Sequence, residues 1–180
     1  MNLRQTPERR EASVITEGNL TFTFEQHCRV ESYDKWSFYR NRFLKIAEKL
    51  KAMDIVCLAN GTLWLIEVKD YRNRRRTKQI SLVEEIVKKS LFTVAGLFAA
   101  RCNAVRENER TFAARAAKCR HIRVVLHLEQ PKRKSKLFPR IADEARLVQE
   151  LKKRVKALDP HPKVVHQGNL HPSMSWTVNG

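Results

Sequence analysis

The chain has 180 residues, of which 42% are hydrophobic, so it is long and apolar enough to bury a core. This composition argues against a chain that is disordered over its whole length. Lys and Arg outnumber Asp and Glu by 36 to 19, and the net charge of +17 predicts a polyanionic partner, either nucleic acid or an anionic membrane surface. No apolar run approaches the roughly 18 residues of a membrane span, and no signal-peptide pattern follows the polar N-terminus, so we expect a cytoplasmic protein.

The first fifty residues predict an arm, a strand and a helix. Residues 1–18 are polar and lack periodicity, which indicates a flexible N-terminal arm, and residues 19–180 are expected to form a single domain. Hydrophobicity alternates weakly over residues 19–30, which predicts a strand. Apolar side chains recur at helical spacing over residues 36–50, which predicts a helix with Asp34 as its N-cap.

The most informative stretch is residues 53–71, where two apolar runs flank an Asn-Gly pair at 60–61. Such a pair predicts a tight hairpin, because a two-residue type I′ turn needs positive φ at both central positions. Pairing that runs outward from this turn places Asp54 directly opposite Glu67. Lys69 follows two residues after Glu67, so alternation along the strand puts its side chain on the same face.

Two facing carboxylates repel each other, and this hairpin is otherwise apolar on both faces, as in central strands that are covered from both sides. A divalent cation removes the repulsion, since Mg²⁺ takes carboxylate oxygens as ligands. A shared salt bridge from Lys69, with no metal and no chemistry, is the alternative. Buried ion pairs stabilise proteins poorly, which favours the metal.

Asp54, followed after a hydrophobic strand by Glu67, Val68 and Lys69, resembles the motif of the PD-(D/E)xK nucleases, the restriction-endonuclease-like superfamily. The resemblance covers about residues 36–128. It implies an α/β fold with a restriction-endonuclease-like core, in which the hairpin belongs to a central mixed β-sheet flanked by helices. It also implies that Asp54, Glu67 and the main-chain carbonyl of Val68 bind Mg²⁺ or Mn²⁺, and that Lys69 assists the attacking water or the charged transition state.

A helix before the hairpin often supplies a further acid in this superfamily. Glu31, Asp34 and Glu48 are the candidates here, and the sequence does not choose between them. The superfamily core also has a strand between that helix and the Asp strand. This chain leaves little room for one, so the strand predicted at 19–30 is its possible substitute.

A basic segment follows the hairpin directly, since five of the seven residues 72–78 are cations. These are Arg72, Arg74, Arg75, Arg76 and Lys78. Arginine offers paired donors suited to phosphate, so we expect these residues to contact the backbone of a nucleic acid without reading its sequence. A solvated basic loop is the alternative. Residues 131–136 form a second basic loop of the same kind.

Further along the chain, a capping box at Ser81 opens a long helix. Its predicted buried face comprises Ile86, Val87, Leu91, Val94, Ala95 and Phe98. Superfamily members often carry a polar or basic residue on this helix that points at the site, for which Lys88 and Lys89 are the candidates. We nevertheless expect a surface lysine with a buried stem at either position. Helices at 103–118 and 141–158 and strands at 121–128 and 163–167 complete the prediction.

These features indicate a metal-dependent nuclease that hydrolyses phosphodiester bonds, with DNA favoured over RNA because most of the superfamily acts on DNA. No sequence-reading module accompanies the core, so we expect structure-directed or weakly specific cleavage, in a homodimer or in a larger DNA-processing or defence system. A non-catalytic nucleic-acid-binding protein on the same fold is the alternative. A membrane-surface protein is disfavoured, because the amphipathic basic helix at 141–158 needs its apolar face for the core. The four cysteines lack CxxC spacing and are expected to be reduced and buried.

Overall fold

The structure, a computed structural model, describes residues 11–73, 76–77, 79–131 and 143–180. The strands in these ranges are β1 (Ser13–Glu17), β2 (Leu20–Phe24), β3 (Arg29–Glu31), β4 (Ile55–Ala59), β5 (Thr62–Asp70), β6 (His121–Glu129), β7 (Lys163–Val165) and β8 (Trp176–Asn179). The α-helices are α1 (Ser37–Asn41), α2 (Leu82–Asn103), α3 (Glu107–Ala116) and α4 (Glu144–Val155).

A five-stranded sheet with the strand order β3-β4-β5-β6-β7 forms the centre of the molecule. β3, β4 and β5 are antiparallel, whereas β5, β6 and β7 are parallel. The parallel pairs require crossover connections, which α2, α3 and α4 supply. A second, antiparallel sheet has the order β1-β2-β8. The prediction of an α/β fold with a mixed central sheet and flanking helices is therefore confirmed.

The Asn-Gly hairpin has the predicted turn and register. Asn60 and Gly61 have φ values of 49° and 70°, which is the left-handed region that a type I′ turn requires. Ala59 lies opposite Thr62, and the pairing continues outward from the turn to Ile55 and Ile66. The next position of this register is the pair Asp54 and Glu67.

The two faces of the central sheet have different covers. Helices pack on one face, where Leu63 and Leu65 of β5 enter the larger core. The small sheet packs on the other face, where Trp64, Ile66 and Val68 enter a second core with β2 and β8. Glu67 and Lys69 continue the row of Leu63 and Leu65, so alternation along the strand turns both side chains towards the helices.

The N-terminal arm and the strand predicted at 19–30 are corrected. Ser13–Glu17 forms β1, so regular structure begins before residue 18, and residues 1–10 lie outside the described residues. The strand at 19–30 is divided into β2 and β3, which belong to different sheets. A turn separates them, in which the Cys28 amide donates to the Glu25 carbonyl at 2.9 Å.

The helix predicted at 36–50 is also wrong in its extent. Only Ser37–Asn41 is α-helical, and a 3₁₀ turn follows at Phe43–Lys45. The N-terminus of this helix is capped by Glu109, a buried residue of α3. Its carboxylate accepts hydrogen bonds from the Ser37 and Phe38 amides at 2.7 and 3.1 Å. Lys49 has a φ of 62°, which a continuing helix excludes.

The buried face of α2 agrees only in part with the prediction. Ile86 is fully buried, and Val87 and Val94 pack against the core, whereas Leu91, Ala95 and Phe98 are exposed, the last of them by 64%. The buried residues are Leu82, Val83, Glu85, Ile86, Lys89, Ser90, Thr93, Gly96, Leu97 and Ala100. Small residues on this face allow close packing, since any side chain at Gly96 would overlap the Tyr33 hydroxyl. Ser81 caps α2 as predicted, and its hydroxyl accepts from the Glu84 amide at 3.0 Å.

The C-terminal elements are close to prediction. The strand at 121–128 is confirmed as β6, and the helix predicted at 141–158 is shorter, with Asp143 accepting from the Arg146 amide at 3.0 Å as its N-cap. The basic loop at 131–136 lies outside the described residues, apart from residue 131. Cys102 is exposed, which corrects the expectation of uniformly buried cysteines. In the part of the chain that the structure describes, no helix has both the length and the apolarity to cross a membrane.

Candidate functional site

The carboxylates of Asp54 and Glu67 meet at one point on the helix side of the central sheet. Asp54 immediately precedes β4, and Glu67 lies in β5 with no exposed surface. The Nζ of Lys89, in α2, lies 3.0 Å from Asp54 Oδ1 and 2.6 and 2.7 Å from Glu67 Oε1 and Oε2. Because both carboxylates contact the same nitrogen, a single cation at that position contacts both.

The hairpin holds Asp54 in this orientation. Its second oxygen, Oδ2, accepts a hydrogen bond from the Val68 amide at 2.8 Å. Val68 directs its side chain into the core beneath the small sheet, so its main chain lies beside the carboxylates while its side chain faces away. Asp54 is thereby locked against the neighbouring strand, with Oδ1 directed to the shared point.

Lys69 extends the cluster towards α2. Its ammonium contacts the Glu67 carboxylate and lies 3.4 Å from Glu85 Oε1. The Glu85 side chain is 1% exposed and accepts from Arg76 Nη1 at 3.0 Å. Charges of opposite sign therefore alternate through a single buried network. In order, its members are Asp54, Lys89, Glu67, Lys69, Glu85 and Arg76.

Burial decides the titration of this network. Burial raises the pKa of Glu67 to about 7, and the charge of Asp54 adds to the shift. Burial acts to lower the pKa of Lys89 and of Lys69, but the adjacent carboxylates outweigh it, so that each lysine has a pKa above its usual value. Lys89 and Lys69 act in the opposite direction and lower the pKa of Glu67, so the cations beside it favour its ionised form.

One of the three candidate helix-borne acids interacts electrostatically with Asp54. Burial raises the pKa of Asp34, and the charge of Asp54 contributes next to that shift. Glu31 instead accepts from the Trp36 indole at 3.2 Å, and Glu48 is exposed. Asp34 is thus the acid of the three that lies within electrostatic range of Asp54.

Glu17, in β1, has the same relation to the site. Burial raises its pKa, and Asp54 is the next cause. The sequence missed Glu17 because it falls in the segment interpreted as a flexible arm.

The basic segment after the hairpin is bound to the protein itself where it is described. Arg72 donates to both oxygens of Asp70 at 2.9 and 2.7 Å, and to the carbonyl of Gly180 at 2.9 Å. Arg76 donates to Glu85 and to the Tyr71 hydroxyl, each at 3.0 Å. The other three cations of the predicted contact lie outside the described residues. They are Arg74, Arg75 and Lys78.

Sequence reasoning missed Glu85 and misjudged Lys89. The expectation of a surface lysine is wrong for Lys89, whose side chain is 9% exposed, and right for Lys88, which is exposed and pairs with Glu84 at 2.6 Å. The available signal was the spacing of Glu85 and Lys89, which are four residues apart and therefore share one face of α2. That face was overlooked because apolar residues lie on all sides of this helix.

The donor set fits a hard divalent cation that takes few ligands from protein. Asp54 and Glu67 supply carboxylate oxygens at the rim of the core, and Mg²⁺ commonly takes one or two carboxylates and keeps several waters. Among the described residues, no three His, Cys, Asp or Glu side chains are grouped so as to hold a metal. A divalent ion would take the position of the Lys89 ammonium, so that lysine must withdraw when the ion binds.

Comparison with known proteins finds similarity to part of one curated protein. No family model matches the chain, and no solved structure matches it. The chain is similar to the cysteine--tRNA ligase of Neisseria meningitidis serogroup A / serotype 4A, with 32% identity over 169 residues. The match covers 77% of this chain and 24% of that protein. The chain thus spans about a quarter of the length of this curated relative, and the activity of the ligase as a whole does not transfer to it.

Proposed function

We propose that the protein is a metal-dependent nuclease that hydrolyses phosphodiester bonds in nucleic acid. The observation that supports this most strongly is the convergence of the Asp54 and Glu67 carboxylates on one point, with Lys69 beside them. Two acids and a lysine at the rim of a core form a chemically complete set for this reaction. The resemblance to the PD-(D/E)xK nucleases, with its restriction-endonuclease-like core, belongs to the same proposal.

Each residue of the cluster has a distinct role in this proposal. Asp54 and Glu67 hold the ion, together with the main-chain carbonyl of Val68. When bound, Mg²⁺ or Mn²⁺ lowers the pKa of a water and neutralises negative charge on the phosphate. Lys69 donates to the charge that develops on the phosphoryl oxygens. Lys89 keeps the two carboxylates together before the ion arrives.

A non-catalytic nucleic-acid-binding protein is the second candidate, and one observation favours it. Lys89 and Lys69 already satisfy both carboxylates, so the cluster is electrostatically complete as an ion-pair network. In that case the net charge of +17 is the main functional feature. Both candidates predict binding that weakens steeply with salt, and only the nuclease predicts cleavage that depends on a divalent ion.

The test is a cleavage panel with three substrates. Supercoiled plasmid and a DNA duplex are included because the superfamily resemblance favours DNA. Transfer RNA is included because the name of the relative contains it. Wild-type protein is expected to cut at least one substrate with Mg²⁺ or Mn²⁺ and none in EDTA. Asp54→Ala, Glu67→Ala and Lys69→Ala are each expected to reduce the rate by at least about 100-fold.

The matched control is Glu150→Ala, which removes an acid of α4 whose side chain is 43% exposed and pairs with Arg146 on the same helix. This variant is expected to cut at the wild-type rate. Wild-type protein that binds the substrates but leaves all three intact with either metal would overturn the nuclease proposal in favour of the binding protein. Cleavage that persists in Glu67→Ala would show a contaminating nuclease and would also overturn it.

A further inference from the structure

The end of the central sheet opposite the carboxylates carries basic side chains that have no acidic partner among the described residues. The hairpin turn at 60–61 lies at this end, and the start of β6 lies beside it, where the Arg120 amide donates to the Gly61 carbonyl at 2.9 Å. The cations that surround the turn are Arg29, Arg115, Lys118, Arg120 and Lys163, which together are called the tip surface below. None of these five side chains contacts a carboxylate in the described part of the chain.

Two open cavities adjoin the turn, one on each side of the hairpin. A cavity of about 310 Å³ is lined by Arg29, Arg115 and Lys118 together with the turn itself. A cavity of about 480 Å³ on the other side is lined by Lys163, Arg123 and two histidines. Both cavities border Asn60, so the cations surround a single prominence of the fold.

Of the acids near this end, Asp159 is fully buried and pairs with Arg123 at 2.9 Å, whereas Glu25 is exposed and lies 3.3 Å from His27. Arg115 lies in the last turn of α3 and Lys118 follows the end of this helix, where cations also complement the helix dipole. That benefit does not apply to Arg29, Arg120 and Lys163, which lie on or next to strands.

We propose that the tip surface is a nucleic-acid-binding surface, separate from the carboxylate site and independent of whether that site cleaves. Unpaired cations in a cluster raise the free energy of the folded protein, and phosphates relieve that cost by releasing their counterions. The surface takes up the role that the sequence gave to Arg72 and Arg76, whose guanidinium groups are bound within the protein.

Nucleic acid fits this surface better than an anionic membrane does. Membrane-surface binding combines positive charge with apolar side chains that enter the lipid. The large exposed apolar side chains of the described residues are Val14, Leu44, Ile46, Ile80, Leu91, Phe98 and Val105. None of them lines either of the two cavities at the turn.

The position of the surface also predicts the length of nucleic acid that it engages together with the site. Thr62, beside the turn, and Glu67 are five residues apart in β5, which corresponds to about 17 Å. Phosphates on one strand of a duplex recur about every 3.4 Å along its axis. A molecule that contacts both positions therefore extends over at least about five nucleotides.

The test measures binding without cleavage. Fluorescence anisotropy with a fluorescein-labelled DNA duplex and an RNA hairpin, each in EDTA at several salt concentrations, compares wild-type protein with the triple variant Arg115→Gln, Lys118→Gln, Arg120→Gln. The triple variant is expected to bind at least about tenfold more weakly. The slope of log K against log salt is negative, and its magnitude is expected to decrease by about 2 to 3. Because all three side chains are exposed, we expect the variant to retain the fold. Thermal unfolding of each protein verifies this.

The matched control removes three exposed cations from α4, as Lys152→Gln, Lys153→Gln, Arg154→Gln. It lowers the net charge equally, and its binding is expected to weaken by less than about threefold. Equal losses in the two triple variants would overturn the proposal, because net charge alone would then explain binding. A tip variant that loses binding to phosphatidylserine vesicles but retains binding to both nucleic acids would also overturn it. The cleavage panel is independent of these measurements, so the failure of either proposal leaves the other testable.

Discussion

The two ends of β5 carry charge in opposite ways. At the end that contains Glu67, charged side chains are buried or half-buried, and Glu67, Lys69 and Lys89 each contact a group of opposite sign. At the end beside the turn, Arg120 and its neighbours are exposed and lack acidic partners in the described part of the chain. A single strand of nine residues thus connects a compensated charge cluster to an uncompensated one.

This difference shows that net charge alone does not identify where a polyanion binds. The segment at 72–78 has the highest local density of cations near the candidate site, yet its residues Arg72 and Arg76 are bound to the protein. The tip surface draws its cations from β3, β7, the last turn of α3 and the region that follows it, so no short stretch of sequence reveals it. Charge that is available to a ligand is a property of the fold.

Substitution of Lys89 is expected to have the largest effect on this contrast. Lys89→Met removes the cation that contacts both carboxylates, and leaves two buried like charges with only Lys69 to compensate them. We expect a loss of about 3–5 kcal/mol in the free energy of unfolding in EDTA, measured by urea denaturation. Mn²⁺ is expected to restore part of that loss, because the ion takes the position that the ammonium leaves.

Lys88→Met is the control for this prediction. The Lys88 side chain is 54% exposed and pairs with Glu84 in an i,i+4 arrangement, so its removal is expected to change stability by at most about 0.5 kcal/mol. Equal stability of the two variants would contradict the description of a compensated, buried cluster. A loss in Lys89→Met that Mn²⁺ does not reduce would contradict the shared cation position.

The sequence predicted the hairpin and the meeting of its two acids because both depend on local rules. Positive φ at residues 60 and 61 is a steric property of Asn and Gly, and the register follows outward from the turn. The period of two along β5 then places Lys69 with Glu67. Strand β6 was equally predictable, because apolar residues recur at every second position from Ile122 to Leu128.

The rest depended on tertiary contacts that no local pattern encodes. Helix α1 begins at a carboxylate from α3, 72 residues away in sequence, so spacing of aromatic residues could not define it. Helix α2 carries apolar residues on all sides, and its orientation is set by close packing against Tyr33. The role of Lys89 follows from that orientation, which is why the most central cation of the site was interpreted as a surface residue.

Near the tip surface, we expect substitution of a paired arginine to lower the free energy of unfolding more than substitution of an unpaired one, by a smaller margin than for the two lysines. Arg123→Gln leaves fully buried Asp159 without its cation and is expected to cost about 1–2 kcal/mol. Arg120→Gln, three residues earlier, removes an exposed side chain that pairs with no acid in the ranges that the structure describes, and we expect a change within about 0.5 kcal/mol. Urea denaturation of both variants gives the comparison. A cost for Arg120→Gln that equals the cost for Arg123→Gln would show that Arg120 has an internal partner, and would remove it from the tip surface.

Substitution of Gly61 is expected to lower the free energy of unfolding by no more than substitution of Arg123 does. It probes the hairpin turn beside the tip surface. Gly61 has a φ of 70°, and a Cβ there would lie 3.9 Å from the Arg120 guanidinium, so Ala meets no steric clash and pays only for the left-handed backbone. We expect Gly61→Ala to cost about 1 kcal/mol by urea denaturation. Gly61→Asn is expected to cost less, because Asn adopts this region more readily. Equal costs for Ala and Asn would contradict an origin in the backbone conformation. A much larger loss would show that the turn, and not the paired strands, holds Asp54 opposite Glu67.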